Sequence, residues 1–277
     1  MSKELEKNVD ELVAQSIAGD KKSLDELITF IQPHIYNLSV RMLKSSEEAQ
    51  DASQEILIKI VTHLSDFRSQ SAFTTWAYRV AANHLLNIQR DNRLTFEELS
   101  ESLERSLSFD TPRELEERYD ENLLSEEIKR NCTLGMLMCL DQDLRLALIL
   151  GEVFNLNSED AAFILEITPQ SYRKRLSRAR TSLISFVSNN CGLINPEKPC
   201  RCNKHIKNKI FMKKLDPKNL QYVQQDDANY LDQAVRSYSK ELSDLQKVSL
   251  LLGTPSTYST SSQSLHSIRR MVGIVEV

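Results

Sequence analysis

The sequence predicts an all-α protein, with two small helical domains joined by an acidic linker and followed by a mostly helical C-terminal extension. Apolar residues recur mostly at helical spacing, and the 277-residue chain contains only 6 glycines and 7 prolines. Both observations favour helices over turn-rich sheets. A chain of this length favours two small domains over one large core. The predicted divisions are residues 1–95, 96–122, 123–188 and 189–277.

The first division begins with three predicted helices. Gly19-Asp20 ends the first helix, and apolar residues then keep a helical period from Leu24 to Met42. Ser45 belongs to a cap signal for a third helix, expected from about Glu47 to Leu64. That helix turns one face inward, and residues spaced by three or four positions share a second face. The members of this second face are Asp51, Gln54, Glu55 and Ile58.

A fourth helix is expected from about Phe73 to Arg90, after a polar loop. Trp76, Arg79 and Asn83 share one of its faces. These groups suit single-stranded DNA, because rings and cations contact unstacked bases and an asparagine can read a base edge. The alternative is that Trp76 is a core residue.

The third division contains a predicted helix-turn-helix. Ser158 to Leu165 has the pattern of a capped helix, Glu166-Ile167 that of a tight turn, and Thr168-Pro169 that of an N-cap and first helical residue. The next helix has one apolar stripe and an opposite polar face whose arginines suit phosphates. A basic amphipathic helix without DNA is the alternative interpretation. The stripe consists of Tyr172, Leu176, Ala179 and Leu183.

Charge is unevenly distributed along the chain, although the formal net charge is only −4. Acidic residues dominate from Glu97 to Glu127 and basic residues from Arg173 to Lys214. This order favours a DNA-binding module attached to a segment that avoids DNA or imitates it. Two solvated charged surfaces are the alternative.

Several functional classes are disfavoured by what the sequence lacks. No stretch is long and apolar enough to span a bilayer, and the segment from Met1 to Asp10 does not resemble a signal peptide. We therefore expect a cytoplasmic chain without membrane insertion. No phosphate-binding glycine loop, dinucleotide fingerprint, zinc-protease motif or nucleophile elbow occurs, so the prediction is that the chain is not an enzyme.

Four segments together resemble extracytoplasmic-function (ECF, group IV) sigma factors of the sigma-70 family. Gly19-Asp20, residues 51–55 (DASQE) and residues 73–83 (FTTWAYRVAAN) resemble region 2 of that family. Residues 167–180 resemble the promoter-reading helix of region 4. The order and spacing of the two blocks match the family. The chain departs from it at Glu166, where the turn usually holds glycine, and in the thinned basic run from Gln89 to Arg93.

The resemblance implies a sigma factor that directs transcription initiation, including stress responses. Its partners would be the β′ clamp helices and β flap of core RNA polymerase, and promoter DNA; an anti-sigma factor is left open. The face implied for core polymerase is Asp51, Gln54, Glu55 and Ile58. The residues implied for the −10 element and strand opening are Phe67, Arg68, Trp76, Arg79, Asn83 and Arg90. Those implied for the −35 element are Gln170, Ser171, Arg173, Lys174, Arg175 and Arg178.

The C-terminal extension carries a cysteine cluster. Cys191, Cys200, Cys202 and His205 are candidate ligands of one tetrahedral zinc ion, because cysteine and histidine at short spacing form such sites. Their spacing is not a common zinc pattern, and reduced thiols without a metal are the alternative. No other cofactor is expected. Some ECF sigma factors have regulatory C-terminal extensions, and the resemblance implies the same role for residues 189–277.

Two other functions stay open from the residues alone. A helix-turn-helix regulator with an N-terminal sensor block would explain residues 123–188, but it leaves the Trp76 and Asp51 faces without a role. A metal sensor would make the cysteine cluster the main site. Binding to core polymerase separates both from a sigma factor.

Overall fold

The computed structural model of the protein describes residues 3–88, 94–108, 119–223, 246, 251–252, 258 and 262–274. Regular structure in these residues is helical, apart from an isolated parallel bridge between Cys191 and Cys200. The all-α prediction is therefore confirmed. The α-helices are α1 (Lys3–Ile17), α2 (Lys21–Leu43), α3 (Ser46–Thr62), α4 (Phe73–Leu86), α5 (Phe96–Ser108), α6 (Glu121–Met138), α7 (Gln142–Leu148), α8 (Ser158–Ile164), α9 (Pro169–Asn190), α10 (Ile206–Phe211) and α11 (Ser262–Met271).

The chain forms two compact units. Unit 1 comprises Met1–Gln89, Leu156–Arg173 and Thr257–Val277, and unit 2 comprises Arg90–Asn155 and Lys174–Ser256. This division differs from the predicted domains, because α8 and the first turn of α9 belong to unit 1. The functional boundaries at residues 95, 122 and 188 remain predictions.

Capping residues explain where the helices of unit 1 begin. The Asp20 side chain accepts a hydrogen bond from the Ser23 backbone N–H at 2.9 Å and starts α2. Gly19 before it has φ of 96°, a left-handed conformation that glycine adopts without a Cβ clash. The Ser45 side chain accepts from the Glu48 N–H at 3.2 Å, which confirms the predicted cap of α3.

The core of unit 1 lies between α2, α3 and α4. The apolar period of α2 predicted this burial, and α3 and α4 contribute the residues that face it. The buried side chains include Leu27, Ile28, Ile31, Ile35, Leu38 and Met42 of α2, Ala49, Ala52, Ile56 and Ile60 of α3, and Phe73, Ala77, Ala81 and Leu85 of α4.

Residues near the C-terminus pack on α2. The Asn37 side chain accepts from the Tyr258 N–H at 2.8 Å and donates to the Tyr258 carbonyl at 3.3 Å. The Arg41 guanidinium lies 4.8 Å from the centre of the Tyr258 ring. In α11, Arg269 makes two hydrogen bonds to the Asp25 carboxylate at 2.5 and 3.0 Å. Part of the C-terminal extension therefore belongs to unit 1.

Half of the predicted acidic linker is the ordered helix α5. A capping box starts this helix, because Thr95 Oγ1 accepts from the Glu98 N–H and the Glu98 carboxylate accepts from the Thr95 N–H. The Phe96 ring packs 5.1 Å from the ring of Phe186 in α9. Phe96 is therefore one of the residues that hold α5 within unit 2. Residues 109–118 of the predicted linker lie outside the described residues.

The helix-turn-helix has the predicted boundaries. Asn157 caps α8 by accepting from the N–H groups of Glu159 and Asp160. Thr168 Oγ1 accepts from the Ser171 N–H at 3.2 Å, which confirms the predicted N-cap before Pro169. The apolar stripe of α9 is buried as predicted, at Tyr172, Leu176, Ala179 and Leu183.

About half of the described residues of the C-terminal extension are helical. It includes a 3-10 helix, Cys202–His205, followed directly by α10, and it includes α11. Residues 224–245 lie outside the described residues. Among the described helices, none combines the length and the apolar composition needed to cross a membrane.

Candidate nucleic-acid and polymerase interfaces

A cavity of about 560 Å³ lies beside α4 in unit 1. It gathers five of the six residues predicted for the −10 element. The sixth, Arg90, lies outside the described residues. The lining residues are Lys59, His63, Asp66, Phe67, Arg68, Gln70, Ser71, Trp76, Arg79, Val80, Asn83, His84, Asn87, Phe163 and Glu166. We call this cavity the α4 cavity.

Three aromatic rings pack together at the α4 cavity, and two of them, Phe67 and Trp76, line it. The Phe67 ring stands edge-on to Phe73 at 5.8 Å and lies 5.6 Å from Trp76, and the Phe73 and Trp76 rings are 5.9 Å apart. Such offset and edge-to-face pairs are the favoured aromatic geometries. Phe67 and Phe73 are buried, whereas Trp76 is half-buried. The two buried rings therefore pack against Trp76, while part of the Trp76 ring remains accessible in the cavity.

Arg79 has two partners from the helix-turn-helix segment of unit 1. Its Nε donates to Glu166 Oε1 at 2.7 Å, and its Nη2 makes an ion pair with the same oxygen. Its guanidinium also lies 4.9 Å from the centre of the Phe163 ring. Arg79 therefore points into the cavity and is held there by a carboxylate and an aromatic face.

Lys59 and His84 form a hydrogen-bonded pair in the cavity. The Lys59 ammonium donates to His84 Nδ1 at 2.7 Å. Burial lowers the pKa of His84, Lys59 lowers it further, and Glu55 opposes the change. His84 is thus a neutral acceptor that orients Lys59. His84 and Val80 are both half-buried and line the cavity.

The face predicted for core polymerase lies on α3. Asp51 and Glu55 are exposed, and Gln54 and Ile58 are half-buried. Their spacing places them along one side of the helix, as predicted. Glu55 Oε2 lies 3.7 Å from His84 Nε2, so this face adjoins the α4 cavity. These four residues therefore lie together on α3. Their role in binding core polymerase is a proposal.

The residues predicted for the −35 element lie in the first three turns of α9. Gln170, Arg173, Lys174 and Arg178 are exposed, as a DNA-reading surface requires. Ser171 contributes its N–H and hydroxyl to the Thr168 cap. Arg175 is half-buried, and its Nη2 lies 3.1 Å from Asp143 Oδ2. Arg175 therefore already has a structural partner, which the sequence did not indicate.

The four predicted zinc ligands are only partly brought together. Cys200 Sγ lies 3.3 Å from His205 Nε2, and Ser106 Oγ lies 2.8 Å from His205 Nδ1. Burial raises the pKa of Cys200 to about 11 and, with the nearby lysines, lowers that of His205 to about 4. No group of three or more His, Cys, Asp or Glu side chains in the described residues has the arrangement of a metal site. The zinc prediction is therefore unsupported.

Among the residues of the α4 cavity that sequence reasoning missed, Phe163 and Glu166 come from a different segment of the chain. Both lie in the helix-turn-helix, far along the chain from α4. The sequence signal that could have drawn attention to Glu166 is its place in the turn, where the resembling family usually has glycine. Its φ of 55° is left-handed.

Comparison with known proteins identifies the family. The family model for Sigma-70 region 2 matches residues 27–95, which include α3 and α4. The RNA polymerase sigma-H factor of Pseudomonas aeruginosa is 33% identical over 175 residues, covering 62% of this chain and 90% of that protein. The chain belongs to the sigma-70 family of sigma factors.

A second curated sigma factor and two solved structures are similar to this chain. The ECF RNA polymerase sigma-E factor of Escherichia coli K12 is 31% identical over 190 residues, covering 68% of this chain and 97% of that protein. The structure of CnrH in complex with the cytosolic domain of CnrY has a TM-score of 0.48 at 18% identity, covering 66% of this chain and 98% of that one. The sigma factor RpoE from Bartonella quintana, solved with the anti-sigma factor NepR, has a TM-score of 0.41 at 16% identity, covering 60% and 98%.

Proposed function

We propose that this sigma factor is of the ECF type, and that it binds core RNA polymerase and directs initiation at promoters with paired −35 and −10 elements. The observation that carries the proposal is the α4 cavity, most of whose lining belongs to the segment matched by Sigma-70 region 2. Catalysis would remain with the polymerase, and the protein would act in the cytoplasm.

The chemistry of the α4 cavity supports binding of an unstacked −10 base. Its volume of about 560 Å³ is in the range of small-ligand pockets. The accessible part of Trp76 offers a stacking surface, Asn83 offers amide donors and an acceptor, and Arg68 and Arg79 offer cations to the backbone. Base stacking on an aromatic ring contributes about 1–3 kcal/mol per base. Trp76 is therefore our main candidate for stabilising the open strand.

The first three turns of α9 support −35 recognition. Gln170 and Lys174 are exposed and carry groups that pair with base edges in the major groove. Arg173 and Arg178 are also exposed and suit phosphate contacts, which position a helix on the duplex. Arg175 has a smaller role in this proposal because Asp143 already binds it.

The α3 face supports docking on core polymerase. Two exposed carboxylates, Asp51 and Glu55, lie beside the half-buried Gln54 and Ile58. This combination of charge with a partly apolar centre is the usual composition of a protein interface. We propose that the β′ clamp helices dock here.

We also propose that the C-terminal extension regulates core binding, since α11 packs on α2 and α3. Arg269 fixes α11 to Asp25, whereas its neighbour Arg270 is exposed. Arg269→Ala should loosen α11 and change the affinity for core polymerase, measured by titration with labelled core enzyme. Arg270→Ala is the matched control and should not change it. If both variants and the unmodified chain bind core polymerase with equal affinity, the proposed regulatory role is contradicted.

The deciding experiment is run-off transcription on genomic fragments, read by sequencing, with core polymerase in the presence or absence of this chain. New start sites that share upstream −35 and −10 sequences would support the proposal. DNA binding without core binding or new start sites would instead indicate a helix-turn-helix regulator. Trp76→Ala should lose the start sites, whereas Ile17→Ala, at an exposed position of α1, should keep them.

A further inference from the structure

The contact between Arg79 and Glu166 places an acidic side chain in the α4 cavity. The Arg79 guanidinium binds Glu166 Oε1 through Nε at 2.7 Å and through Nη2, and it covers the Phe163 ring. Phe163 and Glu166 line the same cavity as Trp76 and Asn83. The end of α8 and the following turn therefore occupy one wall of the site proposed for the −10 strand.

A carboxylate and a DNA phosphate compete for the same arginine. Arginine binds both anions through the same planar set of donors. Arg79 is already engaged with Glu166, so a strand that uses Arg79 must first displace this carboxylate. The negative charge of Glu166 would also repel any phosphate that enters the cavity.

The backbone at Glu166 is unusual for a residue that only forms a turn. Its φ of 55° lies in the left-handed region, which a residue with a Cβ adopts at a cost. Glycine would adopt this conformation more easily, but it would supply no carboxylate. The combination of a strained position and a specific ion pair indicates a role for the side chain.

We propose that Glu166 is an internal competitor that occupies Arg79 in the α4 cavity until single-stranded DNA displaces it. The proposal rests on the proposed −10 function of this cavity. Arg79 and Glu166 have side-chain exposures of 38% and 50%, so their ion pair is weak. This ion pair should thus lower the apparent affinity for a single strand by only about threefold to tenfold.

The test compares Glu166→Gln with Glu159→Gln. Both changes remove one negative charge from the same helix-turn-helix segment, but Glu159 is an exposed residue in the first turn of α8 and lies outside the cavity lining. The probe is a labelled mixed-sequence DNA strand of about 12 nucleotides, and its anisotropy is measured with the full chain. A second readout is acrylamide quenching of Trp76, the single tryptophan of the chain.

We expect Glu166→Gln to bind the strand about threefold to tenfold more tightly than the unmodified chain, with stronger quenching of Trp76. Glu159→Gln should match the unmodified chain in both measurements. Equal binding and quenching by Glu166→Gln and the unmodified chain would overturn the competitor role, as would an equal gain in Glu159→Gln. Run-off transcription reports on the −10 function independently. If the chain directs transcription but Glu166→Gln changes neither measurement, only the competitor role is contradicted. If no variant binds the strand and no start sites appear, both the competitor role and the proposed −10 function are overturned.

Discussion

The two surfaces proposed for promoter DNA differ in shape and in chemistry. The α4 surface is a cavity lined in part by aromatic rings, and its Arg79 is already bound by Glu166 and Phe163. The first three turns of α9 instead form a convex helical surface with exposed Gln170 and Lys174. A cavity with rings suits an extruded base, whereas a convex basic helix suits the groove of a duplex. The two surfaces therefore fit the two different forms of DNA proposed for them.

The two surfaces also differ in what supports them. Buried aromatic rings, Phe67 and Phe73, pack against Trp76 at the α4 cavity. The apolar stripe that supports α9 is mostly aliphatic, and includes Leu176 and Leu183. We therefore expect changes to the rings to affect single-strand binding first, and changes to the basic face of α9 to affect duplex binding first.

The largest expected effect comes from Phe73→Ala. Phe73 is only 1% exposed and contacts both other rings, so its removal leaves a cavity beneath Trp76. We expect a loss of about 3–5 kcal/mol in the free energy of unfolding, measured by urea titration of Trp76 fluorescence. Ile17→Ala, at a position 48% exposed, is the control and should stay within about 1 kcal/mol of the unmodified chain. Similar losses for both variants would mean that the ring cluster does not support the α4 surface.

The next largest effect separates the two surfaces directly. In complex with core polymerase, Trp76→Ala should weaken binding to a forked DNA with an exposed −10 strand by about 5- to 100-fold, because one stacking contact is lost. Binding to the isolated −35 duplex should not change. Trp76→Phe keeps an aromatic face and should recover most of the affinity. Equal weakening on both DNAs would show that Trp76 acts through stability rather than through stacking.

A smaller effect is expected at the α9 surface. Lys174→Ala should reduce duplex affinity at all sequences if Lys174 binds phosphate, and should lower the slope of log affinity against log salt by about 1. If Lys174 instead reads a base edge, the loss should be confined to one position of the −35 element. Lys22→Ala, which removes an exposed lysine of α2, is the matched control and should change neither measurement.

The smallest expected effect is a pH dependence of the stability that the contact between His34 of α2 and Tyr78 of α4 contributes. His34 Nδ1 lies 3.1 Å from the Tyr78 hydroxyl of α4, and burial lowers the pKa of His34 in the folded protein. As the pH falls below about 6.5, the unfolded chain therefore binds a proton on His34 before the folded protein does. Folding then loses stability, since the unfolded state binds more protons.

The measurement compares the unmodified chain with His34→Gln by urea titration at pH 7.5 and at pH 5. Glutamine can keep a hydrogen bond to Tyr78 but does not titrate in this range. The stability advantage of histidine over glutamine should therefore shrink at the lower pH. A constant difference between the two chains would show that His34 protonates equally in the folded and unfolded states.

Local patterns in the sequence determined the helices and the cap of α3. Helical periodicity predicted the buried face of α2 and the stripe of α9, and Ser45 and Thr168 predicted two helix starts. These features depend on residues within a few positions of one another. They could therefore be recognised without knowledge of the rest of the fold. The same locality made it possible to place Asp51 and Glu55 on one face.

Tertiary structure alone decided which distant residues meet. Arg79 and Glu166 are 87 positions apart, and Asn37 and Tyr258 are 221 positions apart, so no helical period relates either pair. Phe96 of the predicted linker packs on Phe186 of α9, 90 positions further along the chain. Each of these contacts depends on how whole helices pack. Sequence spacing fixes the face on which a side chain lies, whereas packing decides which surface that face contacts.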